Sequence, residues 1–149
     1  MTNRLFLPLL LGLFTGTAIQ AQNNPVTWTF EAEAKGEQMY AVHAKATVED
    51  GWYVYSQFLD DAGPVPTELT FDQEGVQPQG KAIETGKKVS GYDEIFGMDI
   101  VKFKEKATFS QDVQVAAGLK NVSGGVLFMV CNDEQCLPPR RESFTIDLQ

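Results

Sequence analysis

Val26-Thr27-Trp28-Thr29-Phe30-Glu31-Ala32-Glu33-Ala34 and Tyr40-Ala41-Val42-His43-Ala44-Lys45-Ala46-Thr47-Val48 are the stretches that decide the fold. In both, apolar side chains hold the even positions: Val26, Trp28, Phe30 and Ala32, then Tyr40, Val42, Ala44, Ala46 and Val48. A strand turns successive side chains to opposite faces, so this period of two places one face against a core and the other in water. Working outward, the same reasoning predicts strands over residues 52–55, 68–71, 79–84, 99–108, 111–115, 121–130 and 143–148, punctuated by turn signals such as Glu49-Asp50-Gly51 and Gly124-Gly125. No stretch repeats apolar residues at helical spacing. The expectation is therefore an all-β chain, a sandwich of about seven to nine short antiparallel strands.

The N-terminus has a different composition. Arg4 precedes an apolar run from Leu5 to Phe14, which breaks at Thr15-Gly16-Thr17 and ends in Ala18-Ile19-Gln20-Ala21. Such a layout reads as a signal peptide over residues 1–21, removed on export. The run is too short to span a bilayer, which takes about 20 apolar residues, and no later segment is long enough. Residues 22–149 then form one domain of ordinary size, expected to be soluble and exported, with a periplasm as the natural compartment. Removing residues 1–21 subtracts Arg4 and no acid, which takes the net charge from −8 to −9. That charge repels phosphate backbones and anionic membrane surfaces, so nucleic acid is excluded as an expected partner.

The chain holds two cysteines, in Cys131-Asn132-Asp133-Glu134-Gln135-Cys136, between the apolar run 126–130 and Leu137-Pro138-Pro139. Two successive prolines cannot donate ladder hydrogen bonds, which places the pair in a tight loop or at a hairpin end. In an oxidising compartment cysteines this close form a disulfide. As a staple it is weak, since closing a ring of about six residues stabilises by roughly 2 kcal/mol against roughly 4 for a loop of about sixty. Exposed local disulfides are also the more reducible kind. Redox activity and simple stapling both remain open on these residues alone. The spacing is not Cys-x-x-Cys, and Asp133 and Glu134 disfavour the thiolate, so a reduced pair is expected to react slowly until a partner docks.

Other chemistry has less support. Two cysteines and the single histidine, His43, fall short of the usual four zinc ligands, so no metal site is expected. His43 has odd parity and should face away from the core. Ser56 and Ser90 lack a nearby histidine, which leaves a Ser-His-Asp arrangement unsupported. Asp60/Asp61 and Asp93/Glu94 read most simply as solvated loop acids. Gly91-Tyr92-Asp93-Glu94-Ile95-Phe96-Gly97 stands apart, because it sets Ile95 and Phe96 in a glycine-flanked acidic loop where apolar side chains need something to cover.

Taken together, Trp52-Tyr53-Val54-Tyr55-Ser56-Gln57, Pro66-Thr67-Glu68-Leu69-Thr70-Phe71, Tyr92-Asp93-Glu94-Ile95-Phe96-Gly97 and the run from Val130-Cys131 through Cys136-Leu137-Pro138-Pro139 to Phe144-Thr145-Ile146 resemble the N-terminal periplasmic domain family of the disulfide reductase DsbD. The resemblance spans nearly the whole of residues 22–149. It implies an immunoglobulin-like sandwich whose Cys131/Cys136 pair takes electrons from a membrane-embedded thiol carrier and passes them to envelope proteins by mixed-disulfide exchange. That chemistry needs no cofactor. It also implies that Asp93, Glu94, Ile95 and Phe96 form a cap loop over the pair, with Ile95 where the family typically carries Phe, and that Tyr53 and Tyr55 lie beside the pair in support. Four residues separate the cysteines here, against five in familiar members. The family protein continues into membrane and thioredoxin-like domains, so this chain is expected to work as a stand-alone module with separate partners. The rival expectation is a non-catalytic binding or adaptor sandwich with a structural disulfide.

Overall fold

The computed structural model describes residues 24–60 and 62–149. The expected signal segment, residues 1–21, and Asp61 lie outside the described residues. Within them the chain is all β, with nine strands and no helix: β1 (Val26–Gly36), β2 (Met39–Val48), β3 (Tyr53–Tyr55), β4 (Glu68–Phe71), β5 (Val76–Asp93), β6 (Met98–Val115), β7 (Asn121–Phe128), β8 (Val130–Cys131) and β9 (Arg140–Asp147). No helix among these residues is long and apolar enough to cross a membrane.

Two antiparallel sheets face each other. The larger has the order β1-β2-β6-β3-β8 with β5 along the other side of β6, and the smaller has the order β4-β7-β9. The alternation in β1 and β2 has the expected consequence. Trp28, Val42, Ala44, Ala46 and Val48 are buried, and they pack with Phe103 and Phe109 of β6 against Val122, Val126 and Phe128 of the smaller sheet. Trp28 sits 5.1 Å from Phe128 and Phe30 4.8 Å from Phe144, ring centre to ring centre, so aromatic contacts join the two sheets. His43, on the other face of β2, hydrogen-bonds Ser110 at 2.7 Å, in keeping with its parity.

Three elements differ from the sequence reading. Residues 99–108 and 111–115 are one strand, β6, not two. Its ladder to β5 is interrupted at Glu105, where φ is 61° and the register jumps from Gly86↔Ala107 to Lys87↔Lys104, and Phe103, Ala107 and Phe109 stay on the core side. A bulge of this kind inserts residues without ending the strand. Gly86 makes it possible: with φ of 143°, any Cβ there would lie 2.3 Å from the Lys106 carbonyl oxygen. Second, β5 runs the full length from Val76 to Asp93, where the sequence suggested only residues 79–84. It is an edge strand with mostly exposed side chains, including Lys81, Lys87 and Lys88, and tolerates Pro78 for the same reason. Third, residues 121–130 are two strands in different sheets, since β7 belongs to the smaller sheet and β8 to the larger. The chain changes sheets at Met129, and this crossing delivers Cys131 to the edge of the larger sheet.

Candidate redox site

Cys131 and Cys136 are joined by a disulfide. They face each other across an isolated antiparallel bridge, flanked by Asn132 N–H to Gln135 carbonyl at 2.9 Å and Leu137 N–H to Val130 carbonyl at 2.9 Å. The cysteines thus form a non-hydrogen-bonded cross-strand pair, the arrangement that brings opposed side chains closest, with Cα atoms 4.0 Å apart. The local sequence explains the turn. Asn132 Oδ1 accepts the amides of Glu134 at 2.9 Å and Gln135 at 2.8 Å, an Asx-type closure that leaves Asp133 and Glu134 at an exposed tip. Pro138 and Pro139 follow where the strand pairing ceases.

Register places Tyr53 and Tyr55. Tyr53 lies opposite Cys131, Val54 opposite both Val130 and Phe103, and Tyr55 opposite Lys102. Opposed residues share a face of the sheet, so Val54, Val130 and Phe103 point into the core between the sheets while Tyr53, Tyr55, Lys102 and Cys131 share the outer face. There Tyr55, Ile100 and Cys131 are the buried centre of a small apolar cluster, completed by Leu59, Phe96, Met98, Met129 and Cys136. The two sulfur positions differ. Cys131 is 1% exposed, and Cys136 is only partly buried.

The stretch read as a cap loop lies at the tip of the β5–β6 hairpin. Asp93 is the last residue of β5, and Glu94 to Gly97 form the turn. Asp93 builds it: its Oδ1 accepts the Ile95 amide at 3.0 Å and its carbonyl accepts the Gly97 amide at 2.8 Å. The two apolar tip residues behave differently. Phe96 packs inward, edge-on to Tyr55 with ring centres 6.0 Å apart, while Ile95 is 48% exposed. Phe96 is therefore the member of the tip that joins the apolar cluster around the disulfide, and Ile95 and Glu94 face outward. Ile95, Glu94 and Tyr92 instead border a cavity of about 290 Å³ that Asn132 and Asp133 close from the cysteine side.

One residue of this site had no place in the sequence reading. Lys102 donates from Nζ to Asp93 Oδ2 at 2.8 Å and lies 4.3 Å from the centre of the Tyr53 ring. Its only sequence signal is even parity with Ile100 in β6, which sets the two on one face. Burial pushes the Asp93 carboxyl up, but the Lys102 ammonium and the amides of Ile95 and Phe96 outweigh it and hold the group below the usual carboxylate range. Tyr55 is the opposite case. Its hydroxyl is buried without a hydrogen bond among the described residues, and burial, with the Asp93 carboxylate nearby, raises the phenol far above its ordinary range.

A family model described as the N-terminal region of the thiol:disulfide interchange protein DsbD matches residues 20–148. Among solved structures, the chain is similar to the reduced N-terminal domain of DsbD from Neisseria meningitidis, with 20% identity and a TM-score of 0.54 over 80% of this chain and 84% of that one. It is similar also to the N-terminal periplasmic domain of ScsB from Proteus mirabilis, with 15% identity and a TM-score of 0.56 over 82% of this chain and 45% of that one. At such identities the likeness establishes a shared fold, here the immunoglobulin-like sandwich. A search of curated proteins finds no match. With the match covering all but the ends of the sequence and the cysteine pair bonded, the chain belongs to the family of DsbD N-terminal domains, and its site fits a thiol–disulfide exchange domain.

Proposed function

We propose that this chain is an exported relay for reducing equivalents, taking two electrons from a membrane-embedded thiol carrier and passing them to disulfides of envelope proteins through Cys131 and Cys136. The observation that carries the reading is the position of the disulfide: on the outer face of a sheet, outside the main core, with one of its residues, Cys136, only partly buried in a cluster that includes Phe96 of the hairpin tip. A bond placed only to staple the sandwich would serve better across its core. Export into a periplasm is supported by the signal-type N-terminus and by the periplasmic description of the ScsB domain.

The step balances with two cysteines. A donor thiolate attacks Sγ of Cys136, the less buried of the two cysteines, and the Cys131–Cys136 bond breaks with Cys131 leaving as thiolate and taking a proton. A second donor thiol then attacks the mixed disulfide, which leaves the donor oxidised and this chain a dithiol. The reverse sequence, begun by Cys136 thiolate on an acceptor disulfide, returns the electrons and restores the bond. Phe96 and the tip would have to yield when a partner docks. Tyr53 and Tyr55 form the wall on which the pair rests.

Equilibration with glutathione tests the reading. A working couple has a potential above about −300 mV, whereas a structural bond, the mark of an adaptor domain, lies below it. The reduced chain should also reduce a protein disulfide stoichiometrically, and the Cys136→Ser variant should not. A potential in the structural range, or undiminished transfer by Cys136→Ser, would overturn it.

A further inference from the structure

We propose that Lys102 is a positioning residue that latches the β5–β6 tip over the cysteine pair and thereby sets how fast a thiol reaches it. Its relevance to electron transfer rests on the relay reading; the latch itself does not. Asp93 is the residue on which the tip is built, since it holds both the Ile95 amide and the Gly97 amide. Lys102 holds Asp93 in turn, at 2.8 Å, with the two side chains only 18% and 6% exposed. An ion pair so shielded from water is screened less than a surface pair, and losing one partner strands the other.

The same ammonium also lies over Tyr53, within the roughly 6 Å over which a cation is attracted to an aromatic face. Tyr53 is the cross-strand neighbour of Cys131 and is fixed in the sheet. Lys102 therefore joins the part that must move, the tip with Phe96, to the part that stays, the strand beside the disulfide. A second lysine provides the contrast. Lys88 also lies near an aromatic ring, Phe103 at 5.7 Å, but its side chain is 52% exposed and its acid, Glu84, is 3.8 Å away and not in the tip.

The test is the rate at which dithiothreitol reduces the disulfide of the exported chain, one dithiol being oxidised to its cyclic disulfide for each protein bond converted to two thiols. Lys102→Met should be reduced about tenfold faster than wild type, and hydrogen exchange at the Ile95 and Gly97 amides should rise by a similar factor, while the Phe103 amide keeps its protection. Lys102→Arg, which retains the charge, should remain within about twofold of wild type. Asp93→Asn retains an oxygen for the tip amides and loses the charge, so it should fall between, and Lys102→Met/Asp93→Asn should be no faster than Lys102→Met alone. Wild-type reduction rates in folded Lys102→Met, equal acceleration by Lys88→Met, or exchange rising at Phe103 as much as at the tip would each overturn the latch. Dithiothreitol reduces any bond that it can reach. Failure of the relay assay therefore leaves this result standing, and failure here leaves the relay untouched.

Discussion

Tyr53 stands directly opposite Cys131 across the β3–β8 ladder, and the face of its ring carries the Lys102 ammonium at 4.3 Å. The disulfide is thereby tied into the larger sheet through backbone pairing on one side and to the hairpin tip through a charge on the other. Val54, the next residue, points into the main core, so the site is set by the same strand that anchors the sandwich.

The two cysteines should be distinguishable by alkylation. With Cys131 buried and Cys136 partly exposed, Cys131→Ser should leave a thiol that iodoacetamide modifies about tenfold faster than the thiol left by Cys136→Ser. Either variant should lose roughly 2 kcal/mol in denaturant unfolding, the stabilisation expected for so small a ring, and remain folded. Equal alkylation rates would contradict the assignment of Cys136 as the entry point.

Tyr55→Phe should stabilise the protein, unlike most changes at a buried aromatic residue. The hydroxyl is buried without a hydrogen-bond partner among the described residues, so removing it relieves a desolvation penalty of about 1–3 kcal/mol while the ring contacts to Phe96 persist. The raised phenol also means that the folded state resists losing this proton. Its contribution is intact below the ordinary tyrosine range and lost as pH rises above about 10. Thermal melts should show a higher Tm for Tyr55→Phe at pH 7 and a weaker decline at pH 10–11; a lower Tm at both pH values would refute this.

Acid should loosen the tip late. Because Asp93 is held below the usual carboxylate range, its ion pair is complete at neutral pH and at pH 5, and is lost only as pH falls through the lowered value, below about pH 4. Amide exchange at Ile95 and Gly97, corrected for intrinsic pH dependence, should be constant from pH 7 to pH 5 and increase below pH 4. An increase already complete at pH 5 would mean that the carboxyl is not held as described.

Gly124→Ala should destabilise the sandwich and leave the redox couple alone. A Cβ there would lie 2.1 Å from the Thr70 carbonyl oxygen and 2.8 Å from the Phe144 ring, in the smaller sheet. Overpacking of this kind costs about 1–3 kcal/mol, to be seen in urea unfolding. The glutathione potential should be unchanged within error, because the cysteines belong to the other sheet.

Alternation was legible wherever a strand has one wet face and one dry face. In β1 and β2 the even residues from Val26 to Val48 carry the pattern, and β4 falls where Glu68 to Phe71 suggested it. It failed where that contrast is absent. The edge strand β5 is exposed along most of its length and shows no period of two from Lys87 to Tyr92. β6 reads as two pieces parted at Phe109 and Ser110, although Phe103, Ala107, Phe109 and Val113 keep one parity through the Glu105 bulge and face the core. Across Phe128, Met129 and Val130 the apolar run is continuous, because Phe128 and Val130 face the main core while Met129 packs in the cluster around the disulfide, so the change of sheet leaves no mark.

The site divides along the same line. Sequence alone determined that Cys131 and Cys136 can pair locally, since five positions and an Asn132 turn are short-range matters, and its motifs pointed to the family. Only the tertiary structure decided that Phe96 rather than Ile95 turns inward, that Cys136 is the less buried cysteine, and that Lys102 reaches across to Asp93. Periodicity says which residues share a face; which part of that face is covered depends on strands paired at a distance, and no local pattern encodes that cover.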